Sequence, residues 1–261
     1  MNLGLADRVA IVTGSSKGIG LAITKAYLKI GVKVMMVSRD EVLLKSLTDE
    51  FRKSGYIVDF IAGDVTDLDL ASRVINKTKK LWGKIDVLIN NAGGPPMGNF
   101  LEHNPVIWQS AIETNLLSVI RFSTAVAPIM IENKWGRIIS ISSTTAKEPS
   151  AVMVLSSTVR AAVGAYTKSI SNELAQFNIT VNVICPGGVL TERLQNLINI
   201  RAERENRLAS DLLMESEESI PIKRFAKPDE IADTVLFLTS DKGSYITGIS
   251  LAVDGGLLKT F

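Results

Sequence analysis

Cysteine occurs once, at Cys185, and histidine once, at His103. A lone thiol excludes an internal disulfide, and nothing then calls for an oxidising compartment. A cytoplasmic location is expected. The carboxylates in "MVSRDE" and "ERENR" have no histidine beside them to complete a ligand set, so no metal is expected. Charge of one sign is also missing. The 29 basic and 27 acidic residues are spread along the chain and leave a net charge of +2. No basic stripe is offered to a polyanion, which argues against nucleic acid. The chain has no uninterrupted apolar run of about 18 residues, so no membrane span is expected. Asp7 and Arg8 precede any long apolar run, so the N-terminus predicts a first strand and not a signal peptide. Linkers rich in Pro, Gly or Ser and internal repeats are absent, which predicts one domain over residues 1–261.

What is present is a core. Hydrophobic residues make up 46% of the 261-residue chain, enough for one well-buried α/β domain. Short β-branched runs alternate with amphipathic stretches. "RVAIVTG" (8–14), "VKVMMVS" (32–38), "IVDFIAGDV" (57–65), "IDVLINNAG" (85–93), "GRIISIS" (136–142), "ITVNVICPG" (179–187) and "GISLAVDGG" (248–256) read as strands. "GIGLAITKAYLKIG" (18–31) and "EVLLKSLTDEFRKSG" (41–55) read as helices ending at glycines. Seven apolar strands separated by helices predict a Rossmann-type, doubly wound parallel sheet in the order 3-2-1-4-5-6-7. Residues 188–220 form a long polar connection, helical in pattern. Connections of this length are usually functional, and a lid is expected here. The charges of "RAERENR" (201–207) read as a solvated helix face.

"TGSSKGIG" (13–20) follows the first strand and opens a helix. In that context Gly14 allows a sharp turn, Gly18 a close backbone approach and Gly20 close helix–sheet packing. Ser16, Lys17 and Ile19 complete a loop whose N–H groups and helix dipole suit a pyrophosphate. An NAD site wants a carboxylate at the end of the second strand. Here Ser38 and Arg39 stand there instead, with Asp40 next. A hydroxyl beside a guanidinium attracts the 2′-phosphate of NADP, and Lys17 adds a second cation. NADP is expected over NAD.

"GDV" (63–65), "NNAG" (90–93), "TN" (114–115), "GRIISISS" (136–143), "PGG" (186–188), "KPDEIA" (227–232) and "YITGISLAVDGG" (245–256) follow in order. With these motifs the chain resembles, over its whole length, the classical short-chain dehydrogenases/reductases, especially the 3-oxoacyl-carrier-protein reductase-like group. The resemblance implies that Asp64 and Val65 hold the adenine and that Asn90, Asn91, Ala92 and Gly93 line the ribose. Pro186, Gly187, Val189 and Thr191 would lie against the nicotinamide. It also implies a small-molecule substrate and a homotetramer built through helices near 105–130 and 153–178 and through the last strand. An exposed Leu251, Leu257, Leu258 and Phe261 would favour such assembly.

The family's catalytic group is Asn, Ser, Tyr and Lys. Asn115 and Ser143 match the first two. The positions for Tyr and Lys fall on Ser156 and Arg160, and no Tyr-x-x-x-Lys occurs anywhere in the chain. Tyr166 lies too far along the same helix to stand in. A phenol of pKa about 10, lowered by a neighbouring ammonium, normally gives the proton. A serine hydroxyl is shorter and far less acidic, and arginine keeps its charge. Ser156 and Arg160 therefore leave a roomier pocket with a fixed cation, open to a water or a substrate carboxylate. Three readings follow. The first is an NADPH-dependent reductase of a conjugated carbonyl compound, whose oxyanion Ser143 and Arg160 stabilise while Asn115 holds a water. The second is slow carbonyl chemistry with an external proton source. The third is nucleotide binding without turnover, in a structural or regulatory role. Tyr-less relatives in antibiotic pathways fit the first. His103 is expected as a surface or capping residue, and Cys185 as a buried small hydrophobe.

Overall fold

The computed structural model describes residues 2–260. Phe261, one of the four apolar tail residues, lies outside the described residues. The sheet is made of β1 (Val9–Thr13), β2 (Lys33–Ser38), β3 (Val58–Ala62), β4 (Val87–Asn90), β5 (Gly136–Ile141), β6 (Ile179–Pro186) and β7 (Ser250–Val253). All neighbouring strands pair in parallel, in the order β3-β2-β1-β4-β5-β6-β7. Each strand is one to several residues shorter at one or both ends than the apolar run suggests.

Side-chain alternation along the strands divides the core. Ala10 and Val12 pack with α1 (Gly18–Lys29), α2 (Glu41–Lys53) and α9 (Pro228–Thr239) through Ile23, Tyr27, Leu44, Phe51, Ile231 and Val235. Ile11 points the other way, to α3 (Leu70–Trp82) and α5 (Ser118–Asn133) through Val74, Phe122, Val126 and Met130. Local chemistry fixes the helix ends. Asp40 accepts a bond from the Leu43 N–H at the start of α2, and Gly83 ends α3 with φ of 76°.

The helix α4 (Pro105–Ile112) runs through a π-helical turn at Glu113–Leu117 into α5. Together they have the length and apolarity to cross a bilayer, with a mean hydropathy of 1.4 over the best window. The stretch is still no uninterrupted apolar run of about 18 residues, because Glu113, Arg121 and Glu132 punctuate it. In the fold its buried face covers the sheet, and Arg121 pairs with Glu113 at 3.0 Å.

The polar connection 188–220 folds as α7 (Glu192–Glu205) and α8 (Ala209–Ser219), closed on Ile198, Ala202 and Leu212. The charges of 201–207 are more than a solvated face. Arg201 and Arg207 both pair with Glu205 and with Glu215 on α8.

Candidate active site

The cofactor-binding and catalytic candidates lie beyond, or close to, the carboxyl ends of the strands, where open α/β sheets bind ligands. The loop from Gly14 to Lys17 joins β1 to α1. Gly14 adopts φ of 57°, in the region that favours glycine. A Cβ on Gly20 would run into the carbonyl oxygen of Gly14, so the helix can start this close to the strand only without a side chain. Asn91 braces the same loop. Its side-chain amide donates to the carbonyls of Thr13 and Gly14 at 3.2 and 3.1 Å. Ser16 and Ile19 are half-buried along the loop.

At the end of β2 the Asp40 carboxylate is spent on capping α2 and does not face a ribose. Arg39 is 81% exposed and only loosely paired with Asp64 at 3.7 Å. The Ser38 hydroxyl is buried and has no hydrogen-bond partner among the described residues. Burial pushes the Asp64 carboxyl up, but the Thr66 N–H and hydroxyl, with Arg39, outweigh it and hold the group below its ordinary value. Val65 and Ala92 line one small cavity with Asn90, Asn115, Ser142 and Arg160, and Gly93 is exposed beside it. Pro186 ends β6, Gly187 donates to the Val253 carbonyl at 3.1 Å, and Val189 is buried. Thr191 caps α7, its side chain meeting the Leu194 N–H, and its methyl faces Gly18. Lys17 reaches Glu192 at 3.1 Å.

The four catalytic candidates come together. Asn115 is placed by the π-helical turn, a distortion that recurs at functional sites. Its amide donates to the Ala111 carbonyl, and its oxygen accepts from Arg160 Nη2 at 3.4 Å. Arg160 Nη1 donates to the Ile141 carbonyl at 2.9 Å. Burial lowers the Arg160 guanidinium to a pKa of about 10, with Cys185 opposing and Arg193 adding to the drop. Ser156, on the same face of α6 (Val154–Leu174), is 3% exposed. Its hydroxyl meets Thr145 Oγ1 at 3.1 Å. Thr145 in turn donates to Ser143 Oγ from its hydroxyl at 3.1 Å and from its N–H at 3.2 Å.

Sequence reasoning missed Thr145, which joins Ser143 to Ser156, and Arg193, whose Nη2 donates to the Pro95 carbonyl at 2.5 Å. The available signals were position alone: each follows a recognised motif residue, Ser143 or Thr191, by two. His103 follows the 3-10 turn at Phe100–Glu102 as its C-cap residue and is half-buried, not free at the surface. Asn104 caps α4, and the two His103 ring nitrogens are buried without partners among the described residues. Cys185 is fully buried in β6, and burial pushes its thiol up. Tyr166 packs beside Val119 and Val163, away from any exchange with Ser156. Among the described residues no cluster of three His, Cys, Asp or Glu side chains could hold a metal.

A strand–glycine loop–helix cradle and a polar group drawn from the π-helical turn before α5, the end of β5 and α6 at the sheet's carboxyl edge define a nucleotide-dependent oxidoreductase of the short-chain type. The short chain dehydrogenase family matches residues 8–201, and the chain belongs to that family. It is 34% identical over 258 residues to the 3-oxoacyl-acyl-carrier-protein reductase FabG of Chlamydia muridarum, covering 98% of this chain and 100% of that one. The fold superposes on L-sorbose reductase from Gluconobacter frateurii, complexed with NADPH and L-sorbose. The TM-score is 0.94 at 30% identity, with 100% of both chains covered. It also matches YwfH, an NADPH dependent reductase involved in bacilysin biosynthesis, with TM-score 0.93 and 30% identity over 98% of this chain and 100% of that one.

Proposed function

We propose that the chain is an NADPH-dependent reductase of a small conjugated carbonyl compound, working through a serine–threonine hydroxyl chain where its family keeps a tyrosine. The cofactor loop fits a dinucleotide. Gly14 and Gly20 leave the cradle clear, and Lys17 and Arg39 stand exposed with only surface carboxylates as partners. Asp40 is engaged in its cap, and the carboxylate beside Arg39 is Asp64, only loosely paired at 3.7 Å, which a 2′-phosphate can displace. NADPH in the related L-sorbose reductase and YwfH supports the same choice. Bound there, the cofactor supplies the hydride that the reaction consumes.

The observation that carries the reading is the direction of the hydroxyl chain. Ser143 Oγ accepts twice from Thr145, so its own proton points away, free for a substrate oxygen. Because the Thr145 proton goes to Ser143, Ser156 must donate to Thr145. The chain thus delivers one polarised O–H to the site, strengthened by the bonds behind it. Arg160 adds fixed positive potential in a buried setting, where it counts for more than in water. These groups stabilise an oxyanion well and protonate it poorly. That suits reduction at a β-carbon, which leaves a delocalised enolate, better than reduction of a plain ketone, which leaves a strongly basic alkoxide.

The segment 188–220 acts as the lid. Lys17–Glu192, Pro95–Arg193 and Glu102–Arg204 tie α7 to the body through partly exposed contacts, which are weak enough to open. The test is loss of NADPH absorbance with plain ketones, sugars and α,β-unsaturated carbonyl compounds. Conjugated substrates are expected to react faster than plain ketones by about 10²-fold or more, the share a positioned acid usually supplies. Plain ketones reduced at equal rates would overturn the reading. Tight NADPH binding with no consumption by any of them would leave a nucleotide-binding protein without turnover.

A further inference from the structure

Two arginines reach the same point of this site from opposite sides. Arg160 comes from α6 and Arg193 from the first turn of α7. A Cβ built on Gly94 would find Nη2 of each guanidinium 3.5 Å away and Nε of Arg193 3.9 Å away, and these are its nearest neighbours. The absent side chain of Gly94 therefore leaves a notch walled by two cations. Arg160 is 9% exposed and Arg193 half-buried. Among the described residues neither has a carboxylate partner within salt-bridge distance. Their bonds go to the Ile141 and Pro95 carbonyls and to Asn115, which satisfy single N–H groups but bring no countercharge. Burial lowers both guanidinia below their usual range. Two desolvated like charges facing one notch cost stability unless an anion joins them.

We propose that Arg160 and Arg193 clamp a carboxylate of the substrate over Gly94, which makes the substrate class a small unsaturated or oxo acid. The proposal rests on the reductase reading above and narrows it. A carboxylate is small and planar enough for the notch, and its two oxygens can take one guanidinium each through charge-assisted bonds. Because Arg193 belongs to α7 and Arg160 to α6, the bound anion also ties α7 to α6 across Gly94. The same contact would thus recognise the acid and hold the lid over it.

The test uses the protein loaded with NADP+ and calorimetric titration of 4-oxopentanoate against its methyl ester. The acid is expected to bind more tightly than the ester. Arg193→Gln should weaken the acid by roughly 10- to 100-fold, the range for one charged hydrogen-bonded contact, and the ester by far less. Gly94→Ala keeps both charges and places its methyl at ordinary contact distance, so the fold tolerates it, yet it should cost the acid a similar factor. The clamp is refuted if acid and ester bind alike, if neither binds, or if Arg193→Gln spares the acid. It is equally refuted if Arg193→Gln weakens NADPH as much as the acid, because Arg193 would then serve the cofactor. A separate assay follows NADPH with 4-oxopent-2-enoate and its ester. Acid binding that needs Arg193 and an open Gly94, without NADPH loss, upholds the clamp and ends the reductase reading. Equal turnover of acid and ester, indifferent to Arg193→Gln, does the reverse.

Discussion

In the function proposed above, Ser156 stands at the end of a hydroxyl chain and is not a lone substitute for a phenol. Its partner Thr145 holds Ser143 in one orientation, so Thr145→Val, close in shape, should release it. We expect the rate of conjugate reduction to fall by about 10- to 100-fold with little change in KM, as for a weakened oxyanion donor. An unchanged rate would remove the chain from the mechanism. Ser156→Tyr with Arg160→Lys should raise plain ketone reduction and harm conjugate reduction, because the phenol would fill the space beside Ser143. A double variant with both rates unaltered would show that the missing tyrosine does not set the chemistry. Arg39→Ala should weaken NADPH by about 1–3 kcal/mol in calorimetry and leave NADH nearly unaffected. Equal losses would return the cofactor choice to NAD. Ser143, Ser156 and Arg160 were legible in the sequence because their spacing is carried by one strand end and one helix. Thr145 and Arg193 were not, because the first matters through a short 3-10 turn at Thr144–Ala146. The second matters through its meeting with Gly94, remote in the chain.

At the scale of elements, α9 offers a pH test remote from the site. Glu230 accepts from the Lys227 N–H at 2.8 Å and is gripped by Arg224 through two bonds of 2.7 Å. Arg224 first, and then the Lys227 N–H, lower its carboxyl from 4.5 to about 2. A folded pKa below the unfolded one means that the unfolded chain binds the proton first. The stabilisation is therefore whole above about pH 4.5 and lost as pH falls through about 2. Glu230→Gln should lower the urea midpoint at pH 7, and the gap should close as the pH approaches 2. A gap of constant size would mean that charge is not its source. The strands were readable because each central one is buried on both faces and so largely apolar, with a few buried polar residues such as Arg137 and Asn182. The 188–220 segment was readable as helical and polar but not as two helices. Their shared core is only Ile198, Ala202 and Leu212 with a few half-buried neighbours, too sparse a signal to place the break at Asn206.

The whole molecule leaves surfaces that a single copy does not finish. β7 stands at an edge of the sheet, its four residues apolar but for Ser250 and only half-buried. Its outer backbone groups have no neighbouring strand, and exposed edges of this kind are normally covered. Leu251 within it is half-buried, and so are Leu257 and Leu258 after it, not fully exposed as the tail's composition suggested, with residues 257–260 folded back toward Asp254 and Glu148. On α6, Thr158, Ala161, Ala165 and Ser169 form a row of small exposed residues at helical spacing, suited to close approach by another helix. We propose that these two regions are the contacts of a homotetramer with two-fold symmetry, one through the helices and one through the β7 edge. Light scattering at micromolar concentration should give four times the 28.3 kDa chain mass. Ala165→Arg, on the exposed row of α6, should halve that mass while the β7 contact survives, because a long charged side chain cannot enter a close helix pair. A monomeric mass for the unaltered protein would rule the assembly out, and an unchanged tetramer in Ala165→Arg would place the helical contact elsewhere.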